Sequence, residues 1–168
     1  MAKKRKQPRQ SGGTPATVLL DKAGVAYSVR AYAHDPRATN YGTEAAQALA
    51  AEPGQVFKTL LIETDHGLGV AVVPVGALLD LKAAAAALGA KRATMADPHL
   101  AERTTGYVVG GISPLGQRKR LPTVVDVSAQ GRPTILVSGG RRGLDLELAP
   151  DALLALLAAS YADIARRS

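Results

Sequence analysis

Two apolar runs, residues 56–63 and 68–74, flank the turn signal Asp65-His66-Gly67, and this pattern constrains the chain to a β-hairpin. The first run contains VFKTLLI at 56–62, an apolar strand interrupted by a single charge, Lys58. An ammonium sits in such a run when it points out of the sheet with its stem on apolar surface, when it is paired, or when it serves a ligand. The run by itself leaves all three open.

Helix and strand signals alternate around the hairpin. Thr14 predicts a helix cap with Pro15 at the first helical position, and Gly24 predicts its stop. Residues 25–32 alternate as a half-buried strand should. A polar loop over 34–42 follows, then Thr43 caps an alanine-rich helix to about residue 51, broken by Pro53-Gly54. Asp80 caps a helix over 81–88 that ends at Gly89, a brief strand is expected at 90–93, and Asp97-Pro98 starts a helix toward residue 103. Strands are expected at 123–127, 134–137 and 144–148, a helix from 150–151 to about 159, and a short terminal turn at 163–167. The mixture implies an α+β domain, with no internal repeat.

The 168 residues suffice for one domain with a full hydrophobic core. No apolar stretch approaches the roughly 20 residues that span a bilayer. The basic N-terminus is not followed by an apolar segment, so no secretory signal and a cytoplasmic location are expected. Cysteine is absent, which removes disulfides, thiolate nucleophiles and cysteine-based zinc sites together. His34, His66 and His99 lack metal-like spacing, so no metal is expected, and no catalytic triad stands out. Of the net charge of +7, much lies in Lys3, Lys4, Arg5, Lys6 and Arg9. Residues 1–13 therefore read as a disordered basic tail, either a solubilising extension or a source of non-specific attraction to RNA. Residues 14–168 form the domain.

Two glycine-rich segments carry the chemical signal. GGISPLGQ at 110–117 precedes Arg118-Lys119-Arg120. Its glycines let backbone N–H groups approach a ligand, and the Ser-Pro step restricts the loop. Beside three positive charges, such a loop suits an anionic or carbonyl-bearing ligand, although it also reads as a plain turn before a basic strand start. TILVSGGRRG at 134–143 is a buried-type strand ending in a small-residue turn with Arg141 and Arg142, and strand ends of this kind are where sites are commonly built.

Taken in order, FKTLLI at 57–62, TGYVVGGISPLGQRKR at 105–120 and LVSGGRRGLDLELAP at 136–150 resemble the YbaK family of aminoacyl-tRNA deacylases. TPA at 14–16, YAHDP at 32–36 and MADP at 95–98 extend the resemblance from about residue 14 to the end. It implies a compact, curved, mixed and largely antiparallel sheet, barrel-like, with peripheral helices, related to the prolyl-tRNA synthetase editing domain. It also implies hydrolysis of the aminoacyl ester of a mischarged tRNA, without a cofactor and without a membrane.

In the group that looks closest, the substrate is cysteine on proline tRNA, a mischarging that arises because cysteine nearly matches proline in size. The resemblance further implies that the substrate's own thiol attacks its ester carbonyl and releases a cyclic thioester. The protein then supplies position and oxyanion stabilisation. Lys58 is on this reading the essential side chain, holding the ester end or the terminal nucleotide, and the N–H groups near Gly110 and Gly111 meet the oxyanion. Tyr32, Thr59, Ile112, Ser113, Ser138, Gly139 and Gly140 belong to the substrate pocket, although Tyr32 also reads as a strand end and Ser138 as a turn hydroxyl.

Arg118, Lys119, Arg120, Arg141 and Arg142 are expected to meet tRNA phosphates. Aromatic content of 4% leaves few stacking platforms, so choice of tRNA is expected to come from a transient complex with prolyl-tRNA synthetase. Two alternatives stay open. One is a deacylase for alanine using water, with His34 or Asp35 as base. The other is a module that binds aminoacyl-tRNA without turnover.

Overall fold

The structure, a computed structural model, describes residues 13–166. The basic tail therefore lies outside the described residues, apart from Gly13. The first helix, α1 (Pro15–Ala23), is capped as expected: Thr14 Oγ1 accepts from Thr17 N at 3.2 Å, and Gly24 ends the helix in the left-handed region. Strand β1 (Ser28–Ala31) is shorter than residues 25–32, because Val25 N is held by Leu20 O at the end of the helix. Helix α2 (Tyr41–Ala48) starts earlier than expected. Its cap is Asn40, whose Oδ1 accepts from Thr43 N at 3.0 Å, and this places Thr43 inside the first turn.

The hairpin is formed by β2 (Phe57–Thr64) and β3 (Gly67–Pro74), in register from Phe57 opposite Pro74 to Thr64 opposite Gly67. Thr64 Oγ1 closes its turn by accepting from His66 N and donating to Gly67 O. Next come β4 (Leu78–Leu79), α3 (Leu81–Ala87) capped by Asp80, β5 (Ala93–Met95), and α4 (Pro98–Thr105) capped by Asp97. Beyond the glycine loop lie β6 (Thr123–Asp126), β7 (Ile135–Arg141), β8 (Leu144–Leu148), α5 (Pro150–Leu157), β9 (Ser160–Ala162) and β10 (Ala165–Arg166). The SGG segment is thus part of β7, with a register shift between Ser138 and Arg141, rather than a turn after it. The expected terminal turn holds β10 instead.

The described strands form an antiparallel sheet β1-β8-β7, a mixed sheet β5-β2-β3-β6-β9 and the small pair β10-β4. The two larger sheets meet through one parallel bridge, Val56 to Leu136, and do not close into a barrel. Between them lies the main core, built from Leu20, Phe57, Leu61, Val72, Ile135, Val137, Leu146, Leu148 and Leu153. Each large side chain of this kind contributes roughly 1.5–3 kcal/mol by leaving water. A smaller cluster joins Val56, Val75 and Leu136 to Ala45 and Ala46 of α2, which fixes that helix over the seam between the sheets. The C-terminal end is held by buried Asp126, which accepts from Ile164 N and Ala165 N at 3.0 and 3.1 Å.

Candidate active site

The site follows from a gap in strand pairing. One edge of β2 is fully occupied by β3, and Val75 N also reaches Val56 O on that side. The opposite edge is bridged by Leu136 of β7 at Val56, and by β5 only from Ile62 onward, with Ala96 N reaching Leu61 O. Residues 57–60 are left between two sheet fragments, and there a cavity of about 380 Å³ opens. Its walls come from β2, the start of α2, β7 and β8, the β5–α4 connection, and the glycine loop.

Lys58 lines this cavity and is half-buried. Burial pulls its pKa below the ordinary 10.5, and no carboxylate among the described residues pairs with it. Thr59 lines it too, and its Oγ1 is buried without a hydrogen-bond partner among the described residues. Such atoms are rare in folded proteins, and this one belongs to a residue of the cavity wall. Tyr32, Gly110, Ile112 and Ser138 complete the expected residues found on the walls. Phe57, Leu61 and Ala101 supply apolar surface.

The other expected pocket residues stand behind this layer. Gly111 N donates to Val108 O at 2.8 Å, so of the two proposed oxyanion donors only Gly110 remains available on the wall. A Cβ on Gly111 would lie 2.6 Å from Arg141 Cα, which shows how tightly the glycine loop packs on the β7–β8 turn. Ser113 is fully buried and accepts from Leu115 N. Gly139 O accepts from Thr14 Oγ1 at 2.6 Å, and Gly140 (φ +110°) passes against Tyr107 and Thr14. These glycines join the first helix to β7 rather than face the cavity.

The basic residues divide into two groups. Arg142 donates from Nε and a terminal nitrogen to Val109 O at 2.9 and 2.7 Å, and lies 4.7 Å from the ring centroid of Tyr41. It thereby pins the glycine loop to the start of α2. Arg141 is exposed beside it. Arg118 and Lys119 bond through their backbones to Thr105 O and Thr104 O at the end of α4, and the Arg120 guanidinium approaches Leu156 O at 3.5 Å. All three are exposed and none lines the cavity.

His34 and Asp35 also stand outside the cavity lining. His34 Nδ1 is 2.8 Å from Glu44 Oε1, and Glu44 Oε2 accepts from Asp35 N. Partial burial opposes ionisation of Glu44, but these hydrogen bonds outweigh it and hold its pKa below the ordinary value.

Two wall residues carried no distinct signal in the sequence. Tyr41 opens α2 and meets the glycine loop through Arg142. Asp145, on β8 opposite Ser138, is 5% exposed. Burial pushes its carboxyl up to about 7 despite the opposing charge of Arg30. Tyr32 is pushed up to about 12, first by burial and then by the charge of Asp145. In LDLEL the aspartate looks like the outward member of an alternating strand. Only its pairing with Ser138 reveals that this face meets a cavity.

Comparison with known proteins identifies the family and the fold. The model of the family described as aminoacyl-tRNA editing domain matches residues 35–156. A protein of Enterococcus faecalis named "Putative Cys-tRNA(Pro)/Cys-tRNA(Cys) deacylase EbsC" is 38% identical over 165 residues, 98% of each chain. The structure titled "Crystal structure of a putative trans-editing enzyme for prolyl tRNA synthetase" superposes with a TM-score of 0.79 at 30% identity, over 90% of this chain and 95% of its own. A crystal structure of a hypothetical protein, 24% identical, shares the fold with a TM-score of 0.80 over 90% and 99% of the two chains.

Proposed function

This chain belongs to the aminoacyl-tRNA editing domain family, in its YbaK/EbsC group, and we propose that it acts in trans on cysteine mischarged onto proline tRNA. It is an aminoacyl-tRNA deacylase, and its substrate is an aminoacylated tRNA. The observation that carries the finer reading is the gap at residues 57–60, where Lys58, Thr59, Gly110 and Ser138 line one cavity in a chain without cysteine.

In the proposed reaction the substrate thiol loses its proton and its sulfur attacks the ester carbonyl. The bond from that carbonyl to the 3′ oxygen breaks, the oxygen takes up a proton, and a cyclic thioester leaves. The Lys58 ammonium holds the ester end of the substrate, and the Gly110 N–H meets the developing oxyanion. Phe57, Leu61 and Ile112 exclude water and limit side-chain size. No protein nucleophile is required. The water route with His34 or Asp35 as base is disfavoured because neither lines the cavity.

Arg118, Lys119, Arg120 and Arg141 approach the acceptor-stem phosphates under this reading, while Arg142 holds the loop. Selection of the tRNA comes from a transient complex with prolyl-tRNA synthetase, in the cytoplasm. No helix among the described residues is long and apolar enough to cross a membrane.

The test is deacylation of Cys-tRNA(Pro) and Ala-tRNA(Pro) by the wild type and by Lys58→Ala. Rapid loss of cysteine alone, with release of a cyclic thioester and abolished by the substitution, is the expected result. Equal loss of alanine would replace the thiol route by water attack. Binding without turnover of either would make the domain a carrier of aminoacyl ends.

A further inference from the structure

One charge in the cavity has no task in this reaction. Asp145 stands directly opposite Ser138 on one side and Arg30 on the other in the β1-β8-β7 sheet. It is 5% exposed and lines the cavity, and among the described residues only the charge of Arg30 offsets the burial of its carboxyl, with no hydrogen bond to it. Arg30, the cation nearest in the sheet, is directed elsewhere: it donates to Glu147 Oε1 at 2.6 Å and reaches Leu49 O at 3.3 Å. Buried acids are normally paired, because an isolated carboxylate loses several kcal/mol of hydration. A neutral side chain at this place would avoid that loss. The arrangement therefore lacks a cation that arrives with the ligand.

The surroundings fit that cation. Ser138 Oγ accepts from Gly140 N at 3.2 Å and keeps a second lone pair that can accept from an ammonium. Tyr32 lines the same wall. Lys58 lines the cavity as well, so its wall carries one anionic and one cationic side chain. An aminoacyl ester has the matching polarity, with an ammonium on its α-carbon and a carbonyl and phosphodiester beyond.

We propose that Asp145 receives the α-ammonium group of the aminoacyl ester and so turns its carbonyl toward Lys58 and Gly110. The inference rests on the deacylase reading for its ligand class and adds a rule of selection. An ester whose amine is acylated, as in formylated or peptidyl-tRNA, leaves the carboxylate buried and unpaired, and is rejected. The elevated pKa of Asp145 agrees with a group that awaits a cation, since an ammionium in contact would favour its ionised form. Of the charged and titratable groups near it, Arg30 and Tyr32 act on it directly, Lys58 lines the same cavity, and Glu147 follows two residues later on β8.

The test is calorimetric binding of 3′-cysteinylamino-3′-deoxyadenosine, whose amide resists hydrolysis, and of its N-acetyl form, to the wild type and to Asp145→Asn. The wild type is expected to favour the free amine by about tenfold or more, the scale of a charge-assisted hydrogen bond. Asp145→Asn is expected to bind both compounds within about twofold of each other, and Asp145→Ser serves as a second variant if the first melts early. Retention of the preference by the folded variants overturns the proposal, as does a wild type that shows none. Variants that lose hydrolysis but keep the amine preference make Asp145 a base instead, and also overturn it. A wild type that prefers the free amine yet hydrolyses no aminoacyl-tRNA supports the Asp145 inference and rejects the deacylase reading.

Discussion

Val56 of β2 and Leu136 of β7 form an isolated parallel bridge, and the cavity begins where that bridge stops. Had the pairing continued, backbone hydrogen bonds would have covered the outer edge of β2 and sealed Lys58 and Thr59 inside a continuous sheet. The same interruption that costs ladder bonds exposes the residues on which the proposed chemistry depends.

Lys58 is expected to set the alkaline limit of activity. Burial lowers its pKa from 10.5, so the folded enzyme loses this ammonium at a lower pH than an exposed lysine would. If the charged form holds the substrate, kcat/KM falls as pH rises through that lowered pKa. Lys58→Arg, which stays charged, is expected to lack this alkaline fall in whatever activity it retains. A wild-type profile that stays flat to about pH 10 would remove the charge from the mechanism.

Gly111→Ala tests the contact between the two glycine segments. The added carbon would lie within 2.9 Å of three backbone atoms of Arg141 and Arg142, which cannot rotate away. A destabilisation of about 1–3 kcal/mol and a fall in turnover are expected, read by thermal melting and deacylation. Gly76→Ala, where nothing lies within 4 Å, is the matched control and should leave both nearly unchanged.

Arg142 is expected to act on the loop rather than on tRNA alone. Its two donors hold Val109 O, and its guanidinium covers Tyr41. Arg142→Ala should lower kcat about tenfold by loosening Gly110, with a smaller change in KM for tRNA. Arg142→Lys should fail to restore it, because an ammonium cannot reproduce the planar fork. A loss confined to KM would return the residue to phosphate binding.

Asp145→Asn is expected to stabilise the protein at alkaline pH. The folded carboxyl keeps its proton to about pH 7, whereas the unfolded chain ionises near 3.8. Between those values the unfolded state binds fewer protons, so this group lowers stability as pH rises through that window. The variant's gain in melting temperature should be small near pH 4 and reach on the order of 5 °C near pH 8. An equal effect at both pH values would mean that the charge is already neutralised in the fold.

Local signals made part of this protein readable from its residues. The hairpin needed only two apolar runs and a turn, and the caps Thr14, Asp80 and Asp97 act over three residues. The glycine segments and Lys58 were legible through their resemblance to a family. The start of α2 was not, since Asn40 and Thr43 are both good caps. Gly42 packs where a Cβ would meet Val75 at 2.4 Å, so the tertiary contact favours a helix that begins early.

Strands β9 and β10 were also invisible, because two or three residues become strands only when β6 and β4 lie beside them. The site divides in the same way. Residue types and turn chemistry, which are properties of neighbours in sequence, determined which segments could build a pocket. Only tertiary structure decided that Asp145 faces that pocket rather than water. The face of a strand that meets solvent depends on what another part of the chain lays across it, and here α2 and the interrupted edge of β2 do so.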